Sequence, residues 1–305
     1  MSSSSLPRLP SVREIIKLYG LSARSQLSQN FILDKNITDR IVRSSGLTQE
    51  APLVLEVGPG PGLLTRSILD TGVRNVVAVE KDDRFLPTLS QLAQASGDRL
   101  KVIHGNIMEV AQDQILPNEV PSPEQVSHIM GNLPFNVASP LLVRWLHASA
   151  AREGLFGLGP VWLTLMFQKE VGLRLTAPAS TEHRGRLSVM AQSLFKVRTI
   201  YKVPSSVFVP RPKVDAAVVQ LTPNQSSLDT QVYATLENVL RYFFTKRRKT
   251  LGHILRRLGK EVPEASVVIS QLEAFLDMQA RPEDVTTEQF CQMAALFHTH
   301  QVAIP

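Results

Sequence analysis

Short apolar runs alternate with longer segments of helical periodicity between residues 52 and 220. Strands that are separated by helix-length segments predict an α/β fold, specifically a doubly wound, Rossmann-like sheet. Six apolar runs predict its strands, at residues 53–58, 75–80, 100–105, 127–132, 161–167 and 216–221.

Beyond residue 225 the periodicity is helical throughout. Four amphipathic patterns predict helices at residues 232–244, 247–258, 266–278 and 287–297. A sheet-forming stretch that is followed by helices alone predicts a small C-terminal all-helical domain. We therefore expect an N-terminal basic arm at 1–27, a main domain at 28–223 and a helical domain at 224–305.

The N-terminal arm is rich in serine and arginine and contains a single acid, Glu14. Organelle transit segments share this composition, and so do ordinary flexible basic arms. Residues 12–18 have the apolar spacing of an amphipathic helix, with Val12, Ile15 and Ile16 among its apolar positions, which favours docking on the folded domain. Composition by itself leaves both interpretations open.

Composition also excludes several classes of protein. No window approaches the roughly 18 consecutive apolar residues that a membrane helix needs, so no membrane partner is expected. Cys291 is the only cysteine, which excludes a disulfide within one chain and fits a reducing compartment. The seven histidines are scattered without the spacing of metal ligands, and no metal is expected.

Positive charge is concentrated in two stretches of the chain. The 33 Lys and Arg residues exceed the 27 Asp and Glu residues by six, and residues 241–260 alone hold eight basic residues and no acid. A second basic stretch runs from residue 184 to residue 213. A single run of this kind is equally well explained by a solvated helix face. Two runs with interspersed aromatic residues favour a nucleic acid as the partner.

The sequence EVGPGPG at 56–62 ends the first predicted strand and opens a helix. Its glycines, among them Gly58 and Gly60, permit a tight turn that a ligand can approach closely, and the lack of a following Lys-Ser/Thr excludes a P-loop. Glu80 ends the second predicted strand, where a carboxylate can accept hydrogen bonds from both ribose hydroxyls. The combination predicts a cofactor that contains adenosine, and it leaves NAD and S-adenosylmethionine both open.

The sequence GNLPFN at 131–136 favours one of the two cofactors. It ends the fourth predicted strand, beside the crevice where open sheets bind ligands. The side-chain oxygen of Asn132 and the carbonyl of Leu133 could accept both hydrogens of an adenine amine, with Pro134 fixing the backbone and Phe135 stacking on a flipped base. An amine held in this way would direct its lone pair at the methyl group of S-adenosylmethionine, which favours that cofactor over NAD. The alternative is a helix-start turn with a packed Phe.

Seven motifs in order carry a resemblance to a known family: SQNFILD (28–34), EVGPGPG (56–62), NLPF (132–135), FQKEVGLRL (167–175), GRLSVMAQ (185–192), FVPRPKVDAAVV (208–219) and FTKRRKTL (244–251). Together they resemble the ribosomal RNA adenine dimethyltransferases over nearly the whole chain. The arm LPRLPSVREIIKLYGL at 6–21 is similar to that of mitochondrial family members, which are also described as transcription factors.

The resemblance implies a class I methyltransferase domain that dimethylates two adjacent adenosines at N6, using S-adenosylmethionine. The implied substrate is a hairpin loop near the 3′ end of small-subunit ribosomal RNA, within a pre-ribosomal particle in the mitochondrial matrix, and the implied enzyme is a monomer. The mitochondrial transcription machinery is a further implied partner. Carried over by position, the residues that should hold the cofactor are Asn30, Ile32, Gly58, Gly60, Glu80, Lys81, Asn106 and Asn132.

RNA contacts are expected in both basic stretches. Phe208 lies on a proline-stiffened loop and could sandwich the target base against Phe135, or it could be a core anchor. Basic residues expected to contact phosphates are Arg184, Arg186, Arg211, Arg247, Arg248 and Lys249, with residues 246–249 opening a helix. The alternative for these cations is ordinary surface solvation.

One position departs from the family pattern. Asn106 stands where relatives usually have an aspartate that accepts a hydrogen bond from the adenine amine of the cofactor, and an Asn carbonyl oxygen can accept the same bond without charge. This substitution leaves open a non-catalytic RNA-binding factor, for ribosome assembly or for mitochondrial transcription, that retains the fold. A third hypothesis is a methyltransferase that confers antibiotic resistance by acting on large-subunit RNA. The N-terminal arm and the segment RRKT at 247–250 argue against it.

Overall fold

The computed structural model describes residues 6–7, 10–18, 20, 30–116, 125–225 and 228–305. The chain divides into two compact units. The first contains the residues up to 148 with 152–172 and 198–223, and the second contains 149–151, 173–197 and 224–305. Residue 223, the expected domain boundary, ends the last segment of the first unit, but two earlier segments that we assigned to the main domain by periodicity belong to the second unit.

The strands in the described residues are β1 (Phe31–Ile32), β2 (Val54–Val57), β3 (Val76–Glu80), β4 (Leu100–His104), β5 (Ser127–Gly131), β6 (Val161–Gln168), β7 (Phe195–Val203), β8 (Phe208–Val209) and β9 (Ala216–Pro223). Seven of them form one sheet in the order β4-β3-β2-β5-β6-β9-β7. All six predicted strands are confirmed, and the α/β fold class with them. Continuous apolar runs became strands because β2, β3 and β5 are buried at every position, as strands covered on both faces must be.

The direction in which successive strands are added to the sheet reverses beside β2. This strand pairs in parallel with β3 on one side and with β5 on the other. From β2 the chain builds outward through β3 to β4, and it then returns to place β5 and β6 on the opposite side. In open α/β sheets, a crevice forms at the carboxyl ends of the strands at such a switch point. The fold therefore places a ligand crevice beyond the carboxyl ends of β2 and β5.

Three strands, β1, β7 and β8, were not predicted from the sequence. β7 lies at an edge of the sheet and carries exposed Lys196, Arg198 and Lys202 among partly buried residues. Charged side chains protect edge strands from pairing with other chains, and here they obscured the apolar pattern, although the β-branched Val197, Thr199 and Ile200 could have indicated a strand. The two-residue strands β1 and β8 pair only with each other, so no local pattern could reveal them.

Twelve α-helices occur in the described residues: α1 (Val12–Leu18), α2 (Lys35–Ser44), α3 (Leu63–Leu69), α4 (Leu86–Ala95), α5 (Phe135–Ala151), α6 (Leu155–Leu158), α7 (Lys169–Thr176), α8 (Arg186–Leu194), α9 (Thr230–Phe244), α10 (Leu251–Glu261), α11 (Ser266–Glu273) and α12 (Thr287–Thr299). None of the helices found in this part of the chain combines the length and apolar character that a bilayer crossing requires.

Helix α1 is part of the first unit. Its start is closed by a capping box in which the Ser11 hydroxyl accepts from the backbone N–H of Glu14 at 3.2 Å, while the Glu14 carboxylate accepts from the backbone N–H of Ser11 at 2.7 Å. Ile15 is buried in a cluster with Phe31 and Phe85. The amphipathic helix predicted in the N-terminal arm is therefore confirmed, and it is docked. The serine run at 2–5 lies outside the described residues.

The second unit has an aromatic core. Phe243 of α9 and Phe290 of α12 are both fully buried, with ring centroids 6.3 Å apart. Helix α10 starts at Leu251, where the Thr250 hydroxyl accepts from the backbone N–H of His253. The expectation that residues 246–249 open this helix is wrong, because they form the turn between α9 and α10.

Arg184 is a structural residue of the second unit. Only 1% of it is exposed, and its guanidinium donates to the carbonyl of Ala177 at 3.0 Å and to the hydroxyl of Thr287 at 2.8 Å. It also donates to the side-chain oxygen of Gln192 at 2.5 Å. The expectation that Arg184 contacts RNA is therefore wrong, because its charged group already satisfies buried acceptors.

We predict that Arg184→Ala destabilises the protein by about 2–4 kcal/mol, since it leaves buried oxygen acceptors unpaired. The matched control is Arg186→Ala, because Arg186 is exposed and its loss should change the unfolding free energy by less than about 0.5 kcal/mol. Urea unfolding of the two variants measures the difference, and equal stabilities would contradict the structural role of Arg184.

Candidate active site

A cavity of about 390 Å³ opens at the carboxyl edge of the sheet. Four turns that follow parallel strands line it, at residues 58–61, 80–82, 105–108 and 131–134, and residues 30–32 close one side. All eight residues that were expected to hold a cofactor line this cavity: Asn30, Ile32, Gly58, Gly60, Glu80, Lys81, Asn106 and Asn132. The tertiary fold thus brings them together from five separate segments.

The turn after β2 depends on glycine. Gly58 and Gly60 have φ angles of +68° and +54°, in the left-handed region that other residues rarely adopt. A Cβ atom added at Gly60 would lie 3.2 Å from the Phe31 ring. The turn therefore exposes bare backbone to the cavity, as the sequence indicated.

Glu80 is fixed by the backbone of this turn. Its Oε2 accepts from the N–H of Gly60 at 2.9 Å, and its Oε1 accepts from the N–H of Asp82 at 2.8 Å. Burial raises the pKa of Glu80, and the two backbone N–H groups oppose the shift. Each carboxylate oxygen retains a second lone pair. Glu80 can therefore hold the turn and accept a further hydrogen bond from a hydroxyl in the cavity.

Glu56 is a cavity residue to which the sequence analysis assigned no role. It belongs to β2, is 1% exposed and lines the cavity, and its Oε2 has no hydrogen-bond partner in the protein. Burial raises the pKa of Glu56 to about 8, and the negative charge of Glu80 adds to the shift. The nearby Thr65 hydroxyl opposes the shift, although it does not form a hydrogen bond with good geometry. The signal that could have found it is an acid inside an otherwise apolar strand, LVLEV.

Asn132 follows β5 and is oriented by a long-range hydrogen bond. Its Nδ2 donates to the backbone carbonyl of Asn30 at 3.0 Å. Because the amide nitrogen is used in this way, the remaining group, Oδ1, is a hydrogen-bond acceptor. The preceding residue, Gly131, lets the end of β5 lie close to the end of β2, since a Cβ atom at this position would lie 2.8 Å from the carbonyl oxygen of Val57. The structure thus supplies an oriented acceptor at the cavity.

The neighbours of Asn132 have different environments. Leu133 is buried, and it lines the cavity together with Pro134. Phe135 is the first residue of α5 and is only partly buried, packed against the core cluster that contains Ile32. It does not line the cavity. Its stacking role stays a prediction.

Asn106 follows β4 and lies in a tight turn. Its Oδ1 accepts from the N–H of Met108 at 3.2 Å, and its Nδ2 donates to Oε1 of Glu109 at 2.9 Å. The amide therefore has a defined orientation at the cavity.

Phe208 is not a cavity residue. It is 2% exposed, belongs to the core cluster of the sheet, and pairs with Ile32 in the short β1–β8 ladder. The expectation that Phe208 contacts the target base is therefore wrong, and the alternative of a core anchor is confirmed. Successive strand residues point to opposite sides, so Val209 is 52% exposed instead. Arg211 on the following loop is exposed and donates to the Ser205 hydroxyl at 3.2 Å.

The basic turn of the second unit contains two kinds of cation. Arg247 forms an ion pair with Glu283 at 2.7 Å and donates to the carbonyl of Glu182 at 2.7 Å. Arg248 and Lys249 are exposed. The Arg247 pair fixes the turn and leaves its two neighbours directed to solvent, where they can meet an anionic partner.

The cavity fits a nucleoside that carries a cationic group. The glycine turn leaves space along the backbone, Glu80 offers lone pairs for ribose hydroxyls, and the unpaired oxygen of Glu56 offers an acceptor to a buried cation. Within the described ranges no group of three or more His, Cys, Asp or Glu residues is placed to hold a metal ion.

Comparison with known proteins points to one family. The profile described as ribosomal RNA adenine dimethylase matches residues 20–299. The chain is 42% identical over 297 residues to the Xenopus tropicalis protein named dimethyladenosine transferase 1, mitochondrial, a match that covers 96% of this chain and 86% of that protein. It is 41% identical over 302 residues to the Homo sapiens protein of that name, covering 97% and 87%.

Solved structures show the same fold. A dimethyladenosine transferase from Plasmodium falciparum has a TM-score of 0.72 and 23% identity, with 89% of this chain and 98% of that chain covered. The 23S rRNA methyltransferase ErmE has a TM-score of 0.62 and 23% identity, with 88% and 99% covered. Both share the overall fold of this chain.

We predict that Glu56→Gln removes a pH-dependent loss of stability. The folded-state pKa of Glu56 is raised from 4.5 to about 8, so the folded protein loses stability as pH rises between these values, by about 1.4 kcal/mol per pH unit. The variant should match wild type near pH 5 and exceed it by on the order of 4 kcal/mol above pH 8.

Urea unfolding between pH 5 and pH 9 measures this difference. Glu50→Gln is the control, because Glu50 is exposed and hydrogen bonds hold its pKa below the usual range, so its difference from wild type should stay constant above pH 5. A constant difference for Glu56→Gln as well would contradict the buried, proton-binding state of Glu56.

Proposed function

The chain belongs to the ribosomal RNA adenine dimethylase family, and we propose on that basis that it dimethylates N6 of two adjacent adenosines in small-subunit ribosomal RNA. The proposed substrate is a hairpin loop near the 3′ end of that RNA. The observation that carries the proposal is the oriented amide of Asn132, whose Nδ2 bond to Asn30 leaves an acceptor oxygen at the cavity.

The cavity residues support S-adenosylmethionine as the cofactor. Gly58 and Gly60 would lie against it, Glu80 would accept from its ribose hydroxyls, and Glu56 provides a buried acceptor for its ammonium group. When bound, S-adenosylmethionine would supply a methyl group on a sulfonium, from which a neutral thioether departs as the leaving group. A cationic ligand beside Glu56 would also favour the ionised carboxylate, which burial alone disfavours.

Asn132 and Leu133 would hold the target amine. The Asn132 Oδ1 and the Leu133 carbonyl can accept its two hydrogens, which gives the nitrogen more sp³ character and directs its lone pair away from the ring. The nitrogen loses its proton readily once it becomes cationic, so these acceptors suffice without a strong general base. Phe135 is our candidate for stacking on the flipped base.

RNA binding would rest on exposed cations in both units. Arg211 of the first unit and Arg186, Arg248 and Lys249 of the second are exposed, and contacts to phosphates supply most of the affinity in such complexes. Arg247 would contribute by fixing the turn through Glu283. Specificity would come from the shape of the hairpin, as is usual for structured RNA.

The relatives named mitochondrial support a location in mitochondria, and we propose the matrix. A pre-ribosomal particle is the proposed physiological partner, and the proposed enzyme acts as a monomer. The competing functions are a role with the transcription machinery and a role as a non-catalytic assembly factor. A methyl-transfer assay separates both of them from catalysis.

We predict that wild-type protein converts adenosine in the hairpin RNA to dimethyladenosine, and that Asn132→Ala reduces transfer at least about 100-fold because the amine loses an oriented acceptor. The assay uses labelled S-adenosylmethionine, nuclease digestion and mass analysis of the nucleosides. RNA affinity of the variant should stay within about twofold of wild type, since Asn132 makes no proposed phosphate contact.

The matched control is Asn75→Ala, which removes an exposed asparagine of the same unit that bonds to the Pro52 carbonyl outside the cavity. Normal turnover by Asn132→Ala would sink the amine-positioning role. The assay is run on the bare hairpin RNA and on the RNA within a small-subunit particle. If wild type bound both substrates tightly but produced no dimethyladenosine in either, the protein would be an assembly factor and not an enzyme.

We predict that the double variant Arg248→Ala/Lys249→Ala weakens RNA binding and lowers the slope of log K against log salt by about 1.4–1.8, which corresponds to two lost phosphate contacts. Filter binding across a salt series measures the slope. The double variant Arg74→Ala/Lys101→Ala removes the same charge from exposed positions of the first unit and should leave the slope unchanged. An equal fall in both variants would mean that net charge, and not contact at the basic turn, controls binding.

A further inference from the structure

In the turn after β4, Asn106 is paired with Glu109, a residue to which the sequence analysis assigned no role. Asn106 donates from Nδ2 to Oε1 of Glu109 at 2.9 Å, and its Oδ1 accepts from the N–H of Met108 at 3.2 Å. The backbone N–H of Glu109 donates a hydrogen bond to the backbone carbonyl of Asn106 at 2.8 Å. Arg144 donates to the Met108 carbonyl and so anchors the same turn to α5.

The position of this turn in the cavity indicates what it would contact. Glu80 ends β3, and β4 is the next strand outward from β3, on the side away from β2 and its glycine turn. If Glu80 binds the ribose, the base attached to that ribose extends toward the end of β4, where Asn106 and the apolar Ile107 and Met108 line the cavity. A flat base fits between apolar side chains, with the amide at its polar edge.

An asparagine amide is chemically ambiguous at such an edge. Its oxygen accepts hydrogen bonds and its nitrogen donates them, and the two groups exchange places by a flip of the side chain. A 6-amino group on the base is recognised only by the oxygen, whereas a 6-oxo group is recognised only by the nitrogen. The identity of the base that binds therefore depends on which way the amide faces.

We propose that Glu109 is a positioning residue that fixes the Asn106 amide with its oxygen available to the 6-amino group of the cofactor's adenine. An ionised carboxylate is an acceptor only, so it bonds the amide nitrogen and rejects the flipped oxygen. The N–H of Met108 selects the same orientation and uses one of the two lone pairs on Oδ1. This inference rests on the proposed function, because it takes the ligand of the cavity to be S-adenosylmethionine.

The pair also explains how an uncharged residue serves at position 106. An aspartate there would place a second carboxylate within hydrogen-bonding distance of Glu109, and like charges at that distance repel. Asn106 and Glu109 are therefore matched to each other. Glu109 should help cofactor binding when residue 106 is Asn, and it should hinder binding after Asn106→Asp.

The test is calorimetric titration with S-adenosylhomocysteine and with its 6-oxo analogue, S-inosylhomocysteine. Wild type should prefer the 6-amino ligand by about tenfold or more, and Glu109→Ala should reduce this preference to about twofold. Glu109→Gln can donate as well as accept, so it no longer rejects the flipped amide and should lower the preference toward that of Glu109→Ala. Asp113→Ala, which removes an exposed acid from the same segment, should keep all of it.

A second arm uses the Asn106→Asp background. There, adding Glu109→Ala should tighten S-adenosylhomocysteine binding about threefold or more, which is the opposite of its effect in wild type. A role of Glu109 in folding alone would lower affinity for both ligands equally in both backgrounds, and that result would overturn the inference. An unchanged preference in Glu109→Ala would overturn it as well.

Failure of the proposed function has a different signature. If wild type bound neither ligand and transferred no methyl group to RNA, the cavity would not hold this cofactor, and the proposed function would fall together with the inference. If wild type bound S-adenosylhomocysteine and methylated RNA but did not distinguish the 6-oxo analogue, the function would stand and the role of Glu109 would be wrong.

Discussion

Parallel pairing of β2 with β3 and with β5 is the constraint on which the site depends. Parallel strands end at the same edge of a sheet, so the glycine turn, Glu80 and Asn132 reach one crevice although the chain separates them widely. The switch in strand order beside β2 opens that crevice. The parallel pairing of β4 with β3 brings Asn106 to the same edge.

Two buried carboxyl groups give the crevice its chemical character. Glu80 is satisfied by backbone N–H groups on both oxygens, so it stabilises the turn and keeps lone pairs for a ligand. Glu56 has an unpaired oxygen, and burial raises its pKa to about 8. A buried acid without a partner costs stability unless a ligand satisfies it. The pair therefore combines one preformed contact with one that binding completes, and this division is typical of sites that sacrifice stability for function.

Arginine has two distinct uses in the second unit. Arg184 is buried and bonds to oxygens from three segments of the unit, so it acts as a framework residue. Arg247 joins the basic turn to Glu283 and to the carbonyl of Glu182. These contacts hold both guanidinium groups against oxygens of their own unit. Arg248 and Lys249 of the same turn are exposed, and they are the cations that we propose for contact with RNA phosphates.

The sequence by itself determined the elements whose signals are local. Apolar periodicity predicted six strands and the all-helical C-terminal part, glycine spacing predicted the turn at 58–62, and the motif after β5 predicted where Asn132 would lie. Tertiary structure decided whatever depends on contacts distant along the chain. The Asn132 bond to Asn30 joins residues 102 positions apart, the burial of Phe208 follows from its pairing with Ile32, and Arg184 is buried by segments that lie up to 103 residues away. Periodicity reports the face of an element that is apolar, but only packing determines which polar groups meet, because hydrogen bonds join atoms that the fold, and not the order of residues, brings within 3 Å.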